Sequence, residues 1–242
     1  MFQTILIQPI YNVFVFLIGV MPGGNVGLAI IALTLLIRAI FYPAFTASIR
    51  TQMGMQEVQG ELDEINKLYA GKEKAEERAK KTMELYKEHK VRPFAGFLAL
   101  LVQIPVFIAL YYAFFRQGLP NIATHLLYPA VAVPAVVQVN FFGLMNLLSP
   151  HNIILAALVA LLQYGVAYLS LGRMKNTTAS IAPDKQAAQK LQQQMMLYFL
   201  PALMGVVAYS LPAAVGLYFS TTNVVSLVQE WLIRRQQAPK AA

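Results

Sequence analysis

The sequence predicts an all-α polytopic membrane protein with five transmembrane helices. Hydrophobic residues make up 57% of the 242 residues and charged residues only 12%, a balance typical of chains that lie largely in lipid. Long charge-free stretches recur along the chain, and nearly all Lys and Arg residues fall between them. This clustering is the positive-inside pattern of polytopic membrane proteins. It accounts for the net charge of +8 without a specific nucleic acid partner.

The N-terminal stretch is apolar but poorly suited to cross a membrane. Residues 1 to 20 carry no charge and contain Pro9 and Asn12, and Pro22-Gly23-Gly24 follows shortly after them. No basic segment precedes the apolar part, so it does not have the pattern of a signal peptide, and its length is marginal for a span. We therefore predict that residues 1 to 26 form a helix in the outer membrane interface.

The first predicted span, residues 27 to 49, contains one cation, Arg38, eleven residues from either end. As a straight helix the span would measure about 35 Å, so Arg38 would lie near the bilayer centre, where a charge costs about 2.5 to 3.5 kcal/mol or more. All eleven acidic residues, Glu230 included, are expected outside the apolar segments. Water, neutral polar groups or a visiting substrate must then solvate Arg38, which predicts a wet intramembrane cavity. A purely structural arginine is the alternative.

A charged segment, residues 50 to 92, follows the first span, and we predict a cytosolic hairpin of two amphipathic helices there. Gly71 separates the two helical patterns. Two interpretations of the apolar seam remain open: the helices pack only on each other, or a seam flanked by methionines docks on membrane, ribosome or client. The first seam recurs at helical spacing, and the second is weaker: Met55, Val58, Leu62, Ile65 and Tyr69, then Ala75, Ala79, Thr82 and Tyr86.

The rest of the chain supplies four more predicted spans. Residues 93 to 115 and 152 to 172 are charge-free. The 39 uncharged residues between Lys190 and Glu230 would form a helix of about 58 Å, too long for one crossing. Ser210-Leu211-Pro212 offers the break, which gives spans at 194 to 210 and 213 to 232.

Loop charges set the predicted orientation. The outer loop, residues 116 to 151, is interrupted by four prolines and carries only one cation, Arg116. Seventeen of the 19 Lys and Arg residues fall in the hairpin, in a loop at 173 to 193 or in a tail at 233 to 242. We therefore predict that the N-terminus lies outside and that these three segments, with the C-terminus, are cytosolic.

No constellation for covalent or metal chemistry is evident in the sequence. The chain has no cysteine, which excludes disulfides and thiol catalysis. His89, His125 and His151 are scattered, without carboxylates at ligand spacing. No phosphate-binding loop or nucleophile elbow is present. We predict no catalytic residue, no metal site and no cofactor, and hence no enzyme.

Three motifs stand out along the chain: LTLLIRAIFYP, LYKEHKVRPFAGFLALLVQIPVFIALYYAF and MMLYFLPALMGVVAYSLPAAVGLYFSTTNVVSLVQEWLIRR. In their order and spacing, over residues 8 to 235, they resemble the YidC/Oxa family of membrane protein insertases. The resemblance implies a five-helix core around a hydrophilic groove, open to cytosol and lipid, that contains Arg38. Arg92, Phe97 and Ala99 depart from the family pattern.

The resemblance also implies a client-binding site and partners. Thr34 lies one turn before Arg38 on the same helix face. Gln103 and Gln163 are neutral polar groups in other spans, with interhelical hydrogen bonding as their alternative role. The resemblance implies nascent membrane proteins and the lipid bilayer as partners, with the ribosome and the Sec translocon as further candidates, in a bacterial plasma membrane. Tyr218 and Phe219 would form an aromatic path into lipid, and the family pattern adds Asn223.

Two other functions are compatible with an intramembrane arginine. A small transporter or channel could use Arg38 as an anion site, but it needs a pathway open to both faces, and the sequence shows no second polar ring or broken-helix repeat. An intramembrane protease would need a histidine within a span to activate a serine, and no predicted span contains one. The insertase is therefore the preferred hypothesis.

Overall fold

The computed structural model describes residues 3–71, 73–91, 95–112, 119–171, 190–191 and 193–237. Most of these residues are helical, as expected for an all-α protein. Short π-helical turns at Gln3–Ile7 and Met195–Phe199 precede two of the helices. The α-helices in chain order are α1 (Gln8–Val20), α2 (Val26–Ile40), α3 (Tyr42–Glu57), α4 (Gln59–Leu68), α5 (Ala75–Glu88), α6 (Ala95–Tyr111), α7 (Ile153–Leu171), α8 (Leu200–Ser210) and α9 (Ala213–Gln237).

The main core contains residues of α1, α2, α6 and α9, and α1 packs against α2 and α6. Tyr11, Phe14 and Ile18 on one face of α1 are buried in this core with Ile30 and Leu33 of α2. In a membrane such packing stabilises the fold through close van der Waals contact between helices. The N-terminal helix is therefore part of the packed core.

A polar clamp also ties α1 to the segment after α6. Buried Asn12 donates through Nδ2 to the carbonyl of Leu126 at 2.8 Å and accepts the backbone N–H of Tyr128 at 2.7 Å. The Tyr11 hydroxyl accepts the N–H of Ala123 at 2.9 Å. These side chains satisfy backbone groups that the irregular segment cannot pair within itself. The clamp explains why an amide occurs in an apolar helix.

The first predicted span is not one straight helix. α2 ends at Ile40, and α3 starts at Tyr42 after a bend of 71°. Pro43 lies in the first turn of α3, where its missing N–H is tolerated, whereas its ring disfavours a continuous helix through Tyr42. Arg38 is thus in the last turn of α2, beside the bend, and not at the midpoint of a straight 23-residue span.

The predicted outer loop has mostly irregular structure over residues 119–152. It adds one small element that the all-α prediction did not include, a two-stranded antiparallel hairpin of Asn140–Phe141 and Met145–Asn146. Phe142 and Gly143 turn the chain with φ values of 51° and 70°, the positive-φ pair of a type I′ turn. This hairpin packs on the start of α2, where Gly27 leaves room for the Phe141 ring. Arg116 lies outside the described residues.

Helices α4 and α5 form the hairpin in the charged segment. Val58 is fully buried with Leu85 and Val91, and Leu62, Ile65 and Tyr86 pack around them. Val58, Leu62 and Ile65 of the first predicted seam and Tyr86 of the second thus lie in this cluster. Met55, which the first seam also included, is exposed, as is Met83. The alternative of a docking seam would have to use these exposed methionines.

The C-terminal helices pack as a group. α8 runs along α7, where Gly205 approaches Ala160, and α9 packs on α7, α2 and α3. α8 ends at Ser210 and α9 begins at Ala213, at the break that the sequence indicated. α9 continues to Gln237, five residues beyond the predicted span. The loop predicted at 173 to 193 lies almost entirely outside the described residues.

Length and composition alone support few crossings. Among the described residues, Ile153–Leu171 is long and apolar enough to span by itself, and α2 with α3 meets the same criterion only as a bent pair. The other apolar helices are shorter: Gln8–Val20, Leu101–Tyr111 and Met195–Ser210.

Candidate functional site

Arg38 has only neutral contacts in the part of the chain that the structure describes. Its Nη2 donates to the Ser226 hydroxyl on α9 at 3.0 Å, and its guanidinium lies 4.0 Å from the centre of the Phe45 ring on α3. No ion pair with a carboxylate forms there. An arginine has five N–H donors, and one hydrogen bond to Ser226 leaves most of them available.

Four of the predicted client-groove residues lie together around one cavity. Its volume is about 10 Å³, room for roughly one water molecule. Thr34, Arg38, Gln103 and Tyr218 all contribute to its wall, from α2, α6 and α9. The other lining residues are Ile37, Phe45, Val102, Val106 and Thr222.

Hydrogen bonds within this cluster are mostly satisfied locally. The Gln103 amide donates to the Tyr218 hydroxyl and so links α6 to α9. Thr34 donates to the carbonyl of Ile30 in its own helix at 2.7 Å, and Ser226 donates to the carbonyl of Thr222 at 2.9 Å. Both hydroxyls remain free to accept, and Ser226 uses this capacity for Arg38. The cavity is therefore small and lined by both polar and apolar side chains.

Three predicted site residues lie elsewhere. Phe219 packs against the edge of the core, with its ring 6.3 Å from Phe107 and 5.6 Å from Tyr218. Arg38 also lines a wider cavity of about 220 Å³, with Tyr42 and Gln229. Gln163 is half-buried on α7 and lines neither of the two cavities that include Arg38. Asn223 is buried, and its Nδ2 has no hydrogen-bond partner among the described residues. Asn223 does not line the cavity that contains Thr34, Arg38 and Gln103.

The sequence reasoning predicted Tyr218 but missed the rest of the polar stripe of α9 that faces Arg38. Tyr218, Thr222 and Ser226 are spaced by four residues, so they lie along one face of the helix. Gln229 extends this face and donates to the Thr46 hydroxyl at 2.8 Å. It also approaches the carbonyl of Tyr42 at 3.3 Å, at the α2–α3 bend. The four-residue repeat of polar groups within an apolar span is the signal that could have revealed it.

Glu230 corrects the prediction that every carboxylate lies outside the apolar segments. It is 3% exposed on α9, and Arg234 one turn later forms an ion pair with it at 2.8 Å. The Ser170 hydroxyl of α7 approaches the other carboxylate oxygen at 3.4 Å. Because α9 continues well past residue 230, it carries this carboxylate into the interface with α7.

A further cavity is apolar and shares Tyr218 with the cavity at Thr34 and Gln103. Its volume is about 130 Å³, and Phe107, Tyr111 and Leu211 are among its lining residues. Tyr218 thus lies between the cavity that contains Thr34, Arg38 and Gln103 and an apolar one between α6 and the start of α9.

Comparison with known proteins identifies the family. A family model described as "60Kd inner membrane protein" matches residues 17–240. A protein of Oceanobacillus iheyensis named "Membrane protein insertase YidC" is 35% identical over 98% of this chain and 85% of its own length. The chain belongs to the YidC/Oxa family. This confirms the resemblance drawn from the three motifs.

Other relatives of the YidC/Oxa family extend beyond this chain. Proteins of the same name from Francisella tularensis subsp. novicida and Francisella philomiragia are each 32% identical over 88% of this chain. The matched region is only 33% of the length of each Francisella protein. The names of these YidC homologues indicate a membrane protein insertase, and neither they nor the family description mention a catalytic activity.

Proposed function

We propose that this chain is a membrane protein insertase that helps client transmembrane segments and short translocated tails to enter the bilayer. The observation that carries the proposal is Arg38, a half-buried cation without a carboxylate partner in the described structure, which donates to the Ser226 hydroxyl and lines a small cavity with Thr34 and Gln103. Such a residue attracts acidic or polar segments while leaving no opposite charge to compete with them. Family membership supports the same function.

The proposed topology has five spans, with the N-terminus outside and the C-terminus in the cytosol of a bacterial inner membrane. α2 with α3, α6, α7, α8 with its preceding π-turn, and α9 would each cross once. The distribution of loop cations, seventeen on one side and one on the other, supports this orientation. The α4–α5 hairpin would then lie on the cytosolic side.

The physical task of an insertase is to lower the cost of moving polar groups through lipid. Each unsatisfied polar group in hydrocarbon costs several kcal/mol. A groove lined by Thr34, Arg38 and Gln103 would supply hydrogen bonds and a positive charge along part of the path. The membrane potential would add a force on acidic tails.

The cavity that Arg38 shares with Thr34 and Gln103 must widen before it can accept a client, because at about 10 Å³ it has space for one water molecule and not for a side chain. Arg38 also lines the wider cavity of about 220 Å³, with Tyr42 and Gln229. We propose that α6 moves away from α9. This movement would break the Gln103–Tyr218 hydrogen bond, which links the two helices at the smaller cavity. Tyr218, Phe107 and Phe219 would then form the aromatic path by which the client leaves for lipid.

Photo-crosslinking of a stalled nascent membrane protein tests this groove. A crosslinker at Thr34, Gln103, Tyr218 or Phe219 should capture the client. Leu158 on α7, which is exposed and distant in sequence from the cluster, is the control and should capture little. Adducts spread evenly over all five spans would contradict the groove.

Depletion of the protein tests the function independently of the groove. A census of membrane proteins that fail to insert should be enriched in clients with short translocated tails. The ribosome and the Sec translocon are proposed partners, which co-purification with stalled ribosomes would test. An unchanged membrane proteome after depletion would contradict the insertase.

A further inference from the structure

A cavity of about 820 Å³, within the range of pockets that bind small molecules, lies away from Arg38 and opens between α3 and the end of α5. Three cations line it: Arg50 from α3, and Lys87 and Lys90 from the end of α5. None of the described residues that line it is acidic.

The three cations are not neutralised within the described structure. None of them forms an ion pair there, whereas Lys81 pairs with Glu84 at 2.8 Å, and Glu61 lies 3.4 Å from His89. The negative end of the α5 dipole accounts for lysines at its C-terminus. It does not account for Arg50, which comes from another helix. Convergence of cations from two elements therefore favours an anionic ligand.

The backbone at Lys90 supports a functional origin of this arrangement. Lys90 has φ of 53°, in the left-handed region where glycine is the usual residue after a helix. The N–H of Val91 bonds to the carbonyl of Tyr86 at 2.8 Å, which completes the helix cap. Gly54 lets Val91 pack against α3, since a Cβ there would lie 2.8 Å from the Val91 side chain. A lysine is thus kept in a conformation that residues with a Cβ rarely adopt.

The remaining lining residues define what kind of anion fits. Tyr42, Pro43 and Ala47 give the cavity an apolar wall at the α2–α3 bend, next to exposed Ile40 and Phe41. A cationic rim over an apolar wall matches an amphiphile better than a water-soluble acidic peptide, which would leave the apolar wall uncovered. We propose that this cavity binds the phosphodiester headgroup of an anionic glycerophospholipid, with its acyl chains along the α2–α3 bend. The proposal does not depend on the insertase function.

The test is lipid binding to the purified full chain in nonionic detergent, followed by native mass spectrometry with phosphatidylglycerol and phosphatidylcholine as probes. We expect a preference for phosphatidylglycerol. The combined substitution Arg50→Gln, Lys87→Gln and Lys90→Gln should weaken phosphatidylglycerol binding on the order of 100-fold, given the usual attraction of each basic residue to anionic lipid. The matched control removes one arginine and two lysines outside the cavity, two from α5 and one from the residue before it, Lys74→Gln, Arg78→Gln and Lys80→Gln, and should change binding less than about twofold.

A second variant separates binding from folding. Lys90→Gly relieves the left-handed strain and should raise thermal stability, yet weaken phosphatidylglycerol binding about fivefold. Equal binding of both lipids, or equal loss in the cavity and control variants, would overturn the proposal. Inorganic phosphate that competes at the same concentration as phosphatidylglycerol would show a general anion site, and an acidic peptide that does so would show a protein ligand. Either result would also refute the lipid assignment.

Discussion

The guanidinium of Arg38 lies 4.0 Å from the centre of the Phe45 ring, across the bend between α2 and α3. The bend therefore places an aromatic face under the charge. A desolvated cation–π contact is worth up to about 2 kcal/mol. The same bend positions Arg38 to donate to Ser226 on α9.

We predict that Phe45→Leu lowers the free energy of unfolding by about 1 to 2 kcal/mol through loss of this contact. The measurement is a double-mutant cycle with Arg38→Ala, by thermal or denaturant unfolding in detergent. In the Arg38→Ala background, Phe45→Leu should cost much less. Strictly additive effects would mean that the ring only fills space.

Arg38→Lys should retain more insertion activity than Arg38→Ala, because lysine keeps the charge although it loses the planar fork. With an acidic-tailed client, Arg38→Ala should reduce insertion about tenfold, which corresponds to roughly 1.4 kcal/mol. A client with a neutral tail is the control and should be affected least. Insertion is measured by protease protection of the translocated tail. Equal loss for both clients would indicate a structural arginine.

Tyr218→Phe should destabilise the protein by about 1 to 3 kcal/mol, because it leaves the Gln103 amide without its hydrogen-bond acceptor in the small cavity that both residues line. Adding Gln103→Leu should recover part of the loss, since the unpaired donor is then removed. Tyr198→Phe, at an exposed tyrosine, controls for the loss of a hydroxyl. If the double variant is less stable than either single variant, the hydrogen bond is not the cause.

Arg234→Gln should cost about 1 to 3 kcal/mol of stability, because it strips the buried Glu230 of its ion-pair partner. The value is below that of a fully buried pair because the Arg234 side chain is 29% exposed. Arg235→Gln is the matched control, since this neighbouring arginine lies over Trp231 at 5.5 Å. Equal melting temperatures for the two variants would contradict a role for the pair.

Cysteine labelling tests the orientation, and the natural absence of cysteine makes single sites simple to introduce. Cysteine at Val133, exposed in the outer loop, should react with an impermeant maleimide in intact cells. Cysteine at Lys80 on α5 should react only after lysis. Labelling of Lys80→Cys from outside would invert the proposed topology.

Features that depend on local chemistry were predictable from the sequence. Pro212 separates α8 from α9, and Gly71 lies between α4 and α5, because these residues act on the backbone where they stand. The grouping of Thr34, Arg38, Gln103 and Tyr218 also emerged, although it drew on the family resemblance.

Features that depend on how helices cross were not predictable. The run at 27 to 49, uncharged except for Arg38, contained no sign of a 71° bend other than Pro43, which many helices accept in their first turn. Ser226 and Gln229 became visible as partners only when α9 lay against α2 and α3. Glu230 illustrates the same limit, since its burial requires α7 alongside.

The bend also leaves α2 by itself shorter than the hydrocarbon core. α2 contains 15 residues and is about 22 Å long, against a hydrocarbon thickness of about 30 Å. Such hydrophobic mismatch is relieved by thinning of the surrounding lipid, so the lipid next to Arg38 would itself present a lower barrier to a polar segment. Insertion into reconstituted bilayers should then slow as acyl chains lengthen, even though no protein residue changes.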